Sequence, residues 1–119
     1  MLYALLLAAQ LAGADTSFAQ AKARADEYES VLTARDSAAL IEAQSKALSA
    51  AMAACGPAKG VFSPFTIVAR VGNTGVTERT WRSDDSPFAT CLDRQLATAM
   101  LPVAAGKPFY ASYELSFAP

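Results

Sequence analysis

Histidine is absent from this 119-residue chain, and its absence removes several kinds of chemistry at once. Histidine is the commonest general base near neutral pH and a frequent metal ligand, so Ser/His and Cys/His catalytic pairs and most zinc sites are excluded. A large charge of either sign is also missing, because ten Lys plus Arg nearly balance eleven Asp plus Glu. The lack of histidine predicts no metal or other cofactor. The small net charge predicts that nucleic acid is not among the partners.

Cysteine is scarce, with Cys55 and Cys91 as the only two examples. They form no Cys-x-x-Cys motif, which argues against redox catalysis. In an exported chain two such residues would oxidise to a disulfide. By the chain-entropy model the closed loop would stabilise the fold by roughly 4 kcal/mol. The alternative is two independently buried thiols that act as small apolar side chains.

A hydrophobic run long enough to cross a membrane is missing from the N-terminus. Residues 1–14, MLYALLLAAQLAGA, are apolar but fall short of the roughly 20 residues that a spanning helix needs. They end in Ala12-Gly13-Ala14, a small-x-small pattern typical of signal peptidase sites. We predict a signal peptide over 1–14, a periplasmic or secreted location, and no transmembrane span in the mature chain. Because no Lys or Arg precedes Lys22, the alternative is a buried first helix of a cytoplasmic protein.

Glycine and proline are absent from residues 15–54, which are rich in strong helix formers. We predict a helical N-terminal segment of two helices, at about 16–34 and 37–54, with Asp36 and Ser37 as the cap between them. The first helix has a weak apolar stripe, made of Phe18, Ala21, Ala25, Tyr28, Val31 and Leu32. The second has a clear stripe, made of Leu40, Ile41, Ala47, Leu48, Ala51 and Met52.

The pattern changes after Cys55, where a glycine and a proline end the helical segment. Residues 65–71 alternate as a strand does, and a Gly-Asn-Thr-Gly turn joins them to a second strand over 76–82. Trp81 has the largest apolar area of the second strand, so we expect its face to point inward. The residues of that face are Thr77, Arg79 and Trp81.

A third helix and a third strand complete the pattern. Ser86 is a good N-cap, and Pro87 suits the first helical position. The apolar stripe that follows directs Cys91 toward the core; its members are Phe88, Cys91, Leu92, Gln95, Leu96 and Ala99. Residues 109–117 alternate as a strand with one solvated face. The chain is thus predicted to be α+β, with two helices before a ββαβ unit and a three-stranded sheet in the order 2-1-3.

Five motifs together resemble the C-terminal domain of TonB energy transducers, and more closely its cysteine-containing AgmX/PglI relatives. The motifs are Cys55, FTIVARVGNTGVTERTW, Ser83 with Ser86, Cys91-Leu92 and LPVAAGKPFYASYELSF. The resemblance implies a TonB-C-like domain over 55–119 without enzymatic activity. It also implies that a partner's extended segment pairs with the third strand, where Tyr110, Ser112 and Glu114 would be the binding residues. The alternative is an edge that is solvated or covered by the N-terminal helix.

Three classes of function remain to be compared. The first is a cell-envelope protein-interaction module, with a homodimer through an edge strand left open. The second is a small secreted inhibitor or immunity-type protein that acts through the acidic loop at 82–86, whose plainer interpretation is a helix cap. The third is an enzyme, which we do not expect, because adjacent Asp84 and Asp85 would point apart and could not share a proton.

Overall fold

A computed structural model describes residues 16–56 and 63–116. The predicted signal peptide and Phe117, at the end of the predicted last strand, lie outside the described residues. The elements are helix α1 (Phe18–Ser30), helix α2 (Ala34–Cys55), strand β1 (Phe65–Val71), strand β2 (Thr77–Arg82), helix α3 (Pro87–Leu96) and strand β3 (Phe109–Leu115). This order confirms the predicted α+β architecture.

The three strands form one sheet in the order β2-β1-β3, as predicted. Both neighbours run antiparallel to β1, with Val68 opposite Trp81 on one side and opposite Ser112 on the other. β1 is the central strand because it is the most apolar, and four of its seven side chains are completely buried: Ile67, Val68, Ala69 and Val71. β2 and β3 are therefore the two edges.

Helices cover both faces of the sheet. On one face, α2 and α3 pack against β1 and β3 through a core that includes Leu40, Leu92 and Leu96. On the other face, α1 packs against Val68 through Ala21 and Ala25, which are fully buried. Alanine allows the helix backbone to approach the sheet closely, so the weak stripe of the first helix is sufficient for this contact. Among the described residues, no helix combines the length and apolar character needed to cross a bilayer.

The start of α2 differs from the prediction. Thr33 is the N-cap, and its hydroxyl accepts a hydrogen bond from the Asp36 N–H at 3.1 Å. The predicted cap at Asp36 and Ser37 was therefore wrong, because Asp36 lies in the first helical turn. A carboxylate in the first turn is stabilised by the positive end of the helix dipole. An aspartate three residues after the true N-cap can therefore be mistaken in the sequence for the N-cap itself. The stripe is also narrower than predicted, since Ile41 and Met52 are exposed.

Cys55 and Cys91 form a disulfide, as predicted, with the sulfurs 2.01 Å apart and the Cα atoms 5.8 Å apart. The bond joins the last residue of α2 to the second turn of α3 across a sequence separation of 36 residues. Cys91 itself is only half-buried, because the buried stripe of α3 is shifted. That stripe consists of Phe88, Ala89, Leu92, Asp93 and Leu96, and the predicted member Gln95 is exposed.

A buried carboxylate on α3 was missed by the sequence prediction, which placed only apolar residues and Gln95 toward the core. Asp93 is 7% exposed, and its Oδ2 accepts a hydrogen bond from Nη1 of Arg82 at 2.8 Å. Asp93 raises the pKa of the guanidinium through that hydrogen bond. The pair fixes α3 to the end of β2.

The predicted inward face of β2 was wrong in its composition. An irregularity in the β1–β2 register places Arg70 opposite Arg79 but Val71 opposite Thr77, so one extra residue sits in β2. Thr77 therefore lies against the main core, whereas Arg79 and Trp81 lie on the face that α1 covers. Trp81 is half-buried there, and its Nε1 donates to the Thr16 carbonyl at 2.7 Å. A bulge of one residue leaves no clear mark in an alternating sequence.

Candidate binding edge on strand β3

The open edge of β3 is defined by which backbone groups point away from β1. The Ser83 N–H donates to the Thr66 carbonyl at 3.0 Å, so the even-numbered residues of β1 direct their backbone groups toward β2. The residues opposite them on β3 then direct their own N–H and C=O groups outward. These residues are Tyr110, Ser112 and Glu114, which lie opposite Arg70, Val68 and Thr66.

Two helix side chains occupy the middle of this edge. Glu29 Oε1, in α1, accepts from the Ser112 N–H at 3.2 Å, and Gln44 Nε2, in α2, donates to the Ser112 carbonyl at 2.9 Å. Sequence analysis did not identify either residue. Each bond joins residues 68 or more positions apart, and a polar residue on a helix has no local signal that would indicate such a contact.

The side chains of Tyr110 and Glu114 are in contact with α1. The Tyr110 ring lies 5.8 Å from the Trp81 ring, centroid to centroid, and 5.5 Å from Cζ of Arg24. Glu114 pairs with Lys22 at 2.9 Å, and Lys22 also pairs with Asp26. The N-terminal helix thus covers the side chain of Tyr110 and pairs with that of Glu114, which is 65% exposed.

Two recesses lie between β3 and α2, and Gln44 lines both. One has a volume of ≈ 230 Å³ and the other ≈ 150 Å³, and both are lined by Ile41, Gln44, Ser112 and Glu114. Leu40 and Leu32 add apolar surface to the larger recess, and Leu48 adds it to the smaller. The exposure of Ile41, 58%, is explained by this position, because its side chain borders an open groove.

Two ionisable groups beside the groove have perturbed pKa values. Burial raises the pKa of Glu29, against the smaller opposing effects of the Ser112 N–H and of Lys22. Burial also raises the pKa of Tyr113 to about 12. The Tyr113 hydroxyl is buried and has no hydrogen-bond partner in the described part of the chain. Both groups are thus held in surroundings that disfavour their charged forms.

Within the described residues, no segment pairs with the C-terminal half of the second edge, β2. Thr80 and Arg82 lie opposite Ala69 and Ile67, so their backbone groups point away from β1. At the start of β2 the segment around Met100 covers the edge, since the Thr77 N–H donates to the Ala99 carbonyl at 3.3 Å. This part of β2 carries two charged side chains, those of Arg79 and Arg82.

The acidic loop between β2 and α3 has structural partners. Asp84 Oδ2 accepts from the Ser86 N–H at 3.1 Å, and hydrogen bonds from Ser86 lower the pKa of Asp84. Asp85 pairs with Nε of Arg82 at 3.2 Å. Ser86 is the N-cap of α3, as predicted, and accepts from the Ala89 N–H. Over residues 16–56 and 63–116 no three acidic or cysteine side chains are placed to hold a metal ion.

Comparison with known proteins identifies no relative of this chain. No family model matches the chain, no curated protein matches it, and no solved structure matches it.

Proposed function

We propose that this protein is a non-enzymatic interaction module of the cell envelope, which binds an extended segment of a partner protein along β3. The observation that carries the proposal is the groove between β3 and α2. It combines outward backbone groups at Tyr110, Ser112 and Glu114 with two recesses that are lined partly by apolar side chains. An extended segment needs both features, because backbone hydrogen bonds provide affinity and side-chain pockets provide specificity.

The resemblance to TonB C-terminal domains supports the same mode of binding. In such a domain the last strand is the edge that accepts the partner, and here the last strand is an edge of a sheet in the order β2-β1-β3. We infer this kinship from the five sequence motifs.

Export to the envelope is the second part of the proposal. The Cys55–Cys91 disulfide supports it, because such bonds persist in oxidising compartments and are rare where thiols are kept reduced. The apolar segment over 1–14 would be the signal peptide. An intact-mass measurement on protein isolated from the envelope tests this part. We expect a chain that lacks residues 1–14 and gains the mass of two hydrogens on reduction; a chain that retains Met1 and has free thiols would contradict export.

The inhibitor hypothesis receives less support from the geometry. The acids of this loop have structural roles around the start of α3, since Asp84 accepts from the Ser86 N–H and Asp85, although 90% exposed, pairs with Arg82. We therefore keep the interaction module as the single proposal.

Site-specific photocross-linking tests binding along β3. A benzoylphenylalanine in place of Glu114, whose side chain is 65% exposed and lines both recesses, puts the reactive ketone at the β3 groove. The same residue in place of Thr80 puts it on the β2 edge. In the source cells we expect a discrete protein adduct from position 114 and none from position 80. Equal adducts at the two positions, or none at position 114, would contradict the proposal.

A further inference from the structure

We propose that Glu29 and Gln44 form a side-chain latch on β3, and that the segment which displaces the latch alternates basic and apolar residues. This inference rests on the proposed function, since it concerns the same edge. It adds the mechanism that closes the edge in the free protein and the chemistry of the partner that opens it.

The Glu29–Gln44 latch reproduces the hydrogen bonds of a missing strand. In an antiparallel pair, one residue of the incoming strand accepts from the N–H and donates to the C=O of the residue opposite. Glu29 provides that acceptor and Gln44 that donor, both at Ser112, at 3.2 Å and 2.9 Å. The central residue of the edge is therefore satisfied without a partner, which also protects the free protein from edge-to-edge pairing.

The latch can open without loss of the fold. Neither Glu29 nor Gln44 is fully buried, and each belongs to a helix that is fixed by other contacts. The ring of Tyr28 stacks on Phe109 with centroids 4.6 Å apart and holds the end of α1 on β3. The disulfide holds the end of α2. Rotation of the two side chains would then free the N–H and C=O of Ser112 for a partner.

The charge around the latch favours a basic partner residue on the α1 face. Glu29 has no ion-pair partner among the described residues, since Lys22 is shared between Asp26 and Glu114. A strand residue opposite Ser112 points its side chain to the same face as Ser112, which is the face of α1. A Lys or Arg at that position would meet the released Glu29 carboxylate. A second basic residue two positions away, opposite Glu114, would approach the Glu114 carboxylate, whereas the residue on the other side would lie opposite Tyr110.

The recesses favour apolar partner residues at the alternate positions. Successive side chains of a strand point to opposite faces, so the neighbours of the residue opposite Ser112 would point toward α2. The accessible apolar side chains of the groove there are Ile41, Leu32 and Leu48. The partner segment is therefore expected to alternate apolar and basic residues over about five positions.

Two peptides and three protein variants test the inference. The probes are nine-residue peptides with blocked ends, one of alternating valine and lysine and one of alternating valine and glutamate. Binding is followed by amide chemical shifts, with Ser112 reporting the β3 edge and Thr80 the β2 edge. The variants are Gln44→Ala, which removes the donor, Glu29→Gln, which removes the charge but keeps an acceptor, and Gln95→Ala, a matched control on the exposed side of α3. Thermal unfolding confirms that each variant is folded.

We expect the lysine peptide to shift Ser112 and to bind Gln44→Ala about fivefold more tightly than the unmodified protein and Gln95→Ala, as expected for one lost neutral hydrogen bond. Glu29→Gln should reduce the preference for lysine over glutamate. Equal affinity of the lysine peptide for Gln44→Ala and for Gln95→Ala would overturn the latch but leave β3 binding intact. Equal binding of both peptides would overturn the basic pattern. Shifts at Thr80 alone, or none, would overturn binding along β3 itself.

Discussion

At the scale of single residues, the Tyr113 hydroxyl is buried and accepts or donates no hydrogen bond within residues 16–56 and 63–116. A buried polar group that makes no hydrogen bond costs about 1–3 kcal/mol. We expect Tyr113→Phe to raise the free energy of unfolding by about 1 kcal/mol, measured by urea denaturation at pH 7. Tyr110→Phe is the control, since the Tyr110 hydroxyl is near solvent and accepts a bond from Arg24 at 3.4 Å; it should give no gain. A loss of stability in Tyr113→Phe would mean that the hydroxyl has a partner.

The same residue predicts a change of stability with pH. The pKa of Tyr113 is raised from 10.0 to about 12 in the folded protein, so the unfolded chain releases this proton first. The contribution of the neutral phenol to stability is complete below pH 10 and is lost as the pH rises toward 12. Unfolding curves between these pH values should therefore show a steeper loss of stability for the unmodified protein than for Tyr113→Phe. Parallel losses would contradict the raised pKa.

At the scale of elements, the β1–β2 turn depends on Gly75. Its φ is +92°, and a Cβ atom there would lie 2.6 Å from the Leu101 carbonyl oxygen, which belongs to the segment that covers the start of β2. Gly106 is a matched control, since its φ is +66° but open space surrounds it. We expect Gly106→Ala to cost about 1 kcal/mol, the price of the left-handed backbone, and Gly75→Ala to cost at least about 2 kcal/mol. Equal losses in thermal unfolding would show that the close approach does not matter.

Elements were predictable from the sequence where a local cause produces them. The alternation in 65–71, the hairpin turn and the Ser86-Pro87 cap each depend on neighbouring residues, and each prediction is confirmed. Other features depend on residues that meet only in the folded chain. They are the bulge that turns the Thr77 side chain to the main core, the Arg82–Asp93 pair, and the contacts of Glu29 and Gln44 with Ser112. The sequence therefore predicted the β3 edge but not the side chains that close it.

At the scale of the whole molecule, the disulfide joins the helical segment to the ββαβ unit. Loss of a crosslink over 36 residues is expected to cost roughly 4 kcal/mol, which is a large part of the net stability of a small domain. The Cys55→Ser, Cys91→Ser double variant should unfold roughly 10–20 °C lower than the oxidised protein. Reduction of the unmodified protein should give a similar decrease. A change of only a few degrees would show that packing alone determines the stability.

The two edges together determine the expected state of association. β3 is closed at Ser112 by Glu29 and Gln44, and the C-terminal part of β2 carries Arg79 and Arg82, charges that discourage pairing with another strand. We expect a monomer in sedimentation velocity at micromolar concentration. A dimer that Thr80→Pro converts to a monomer would contradict this expectation, because the Thr80 N–H points outward and is not used by β1.

Trp81 is the only tryptophan of the chain, and its indole bonds to Thr16 just before α1 begins. The protein thus contains a built-in fluorophore at the junction between helix and sheet. If a partner lifts α1 away, the emission of this indole should move to longer wavelength, whereas rotation of the Glu29 and Gln44 side chains alone should leave it unchanged. Trp81 fluorescence can therefore distinguish release of the β3 edge alone from undocking of the whole helix, without any added label.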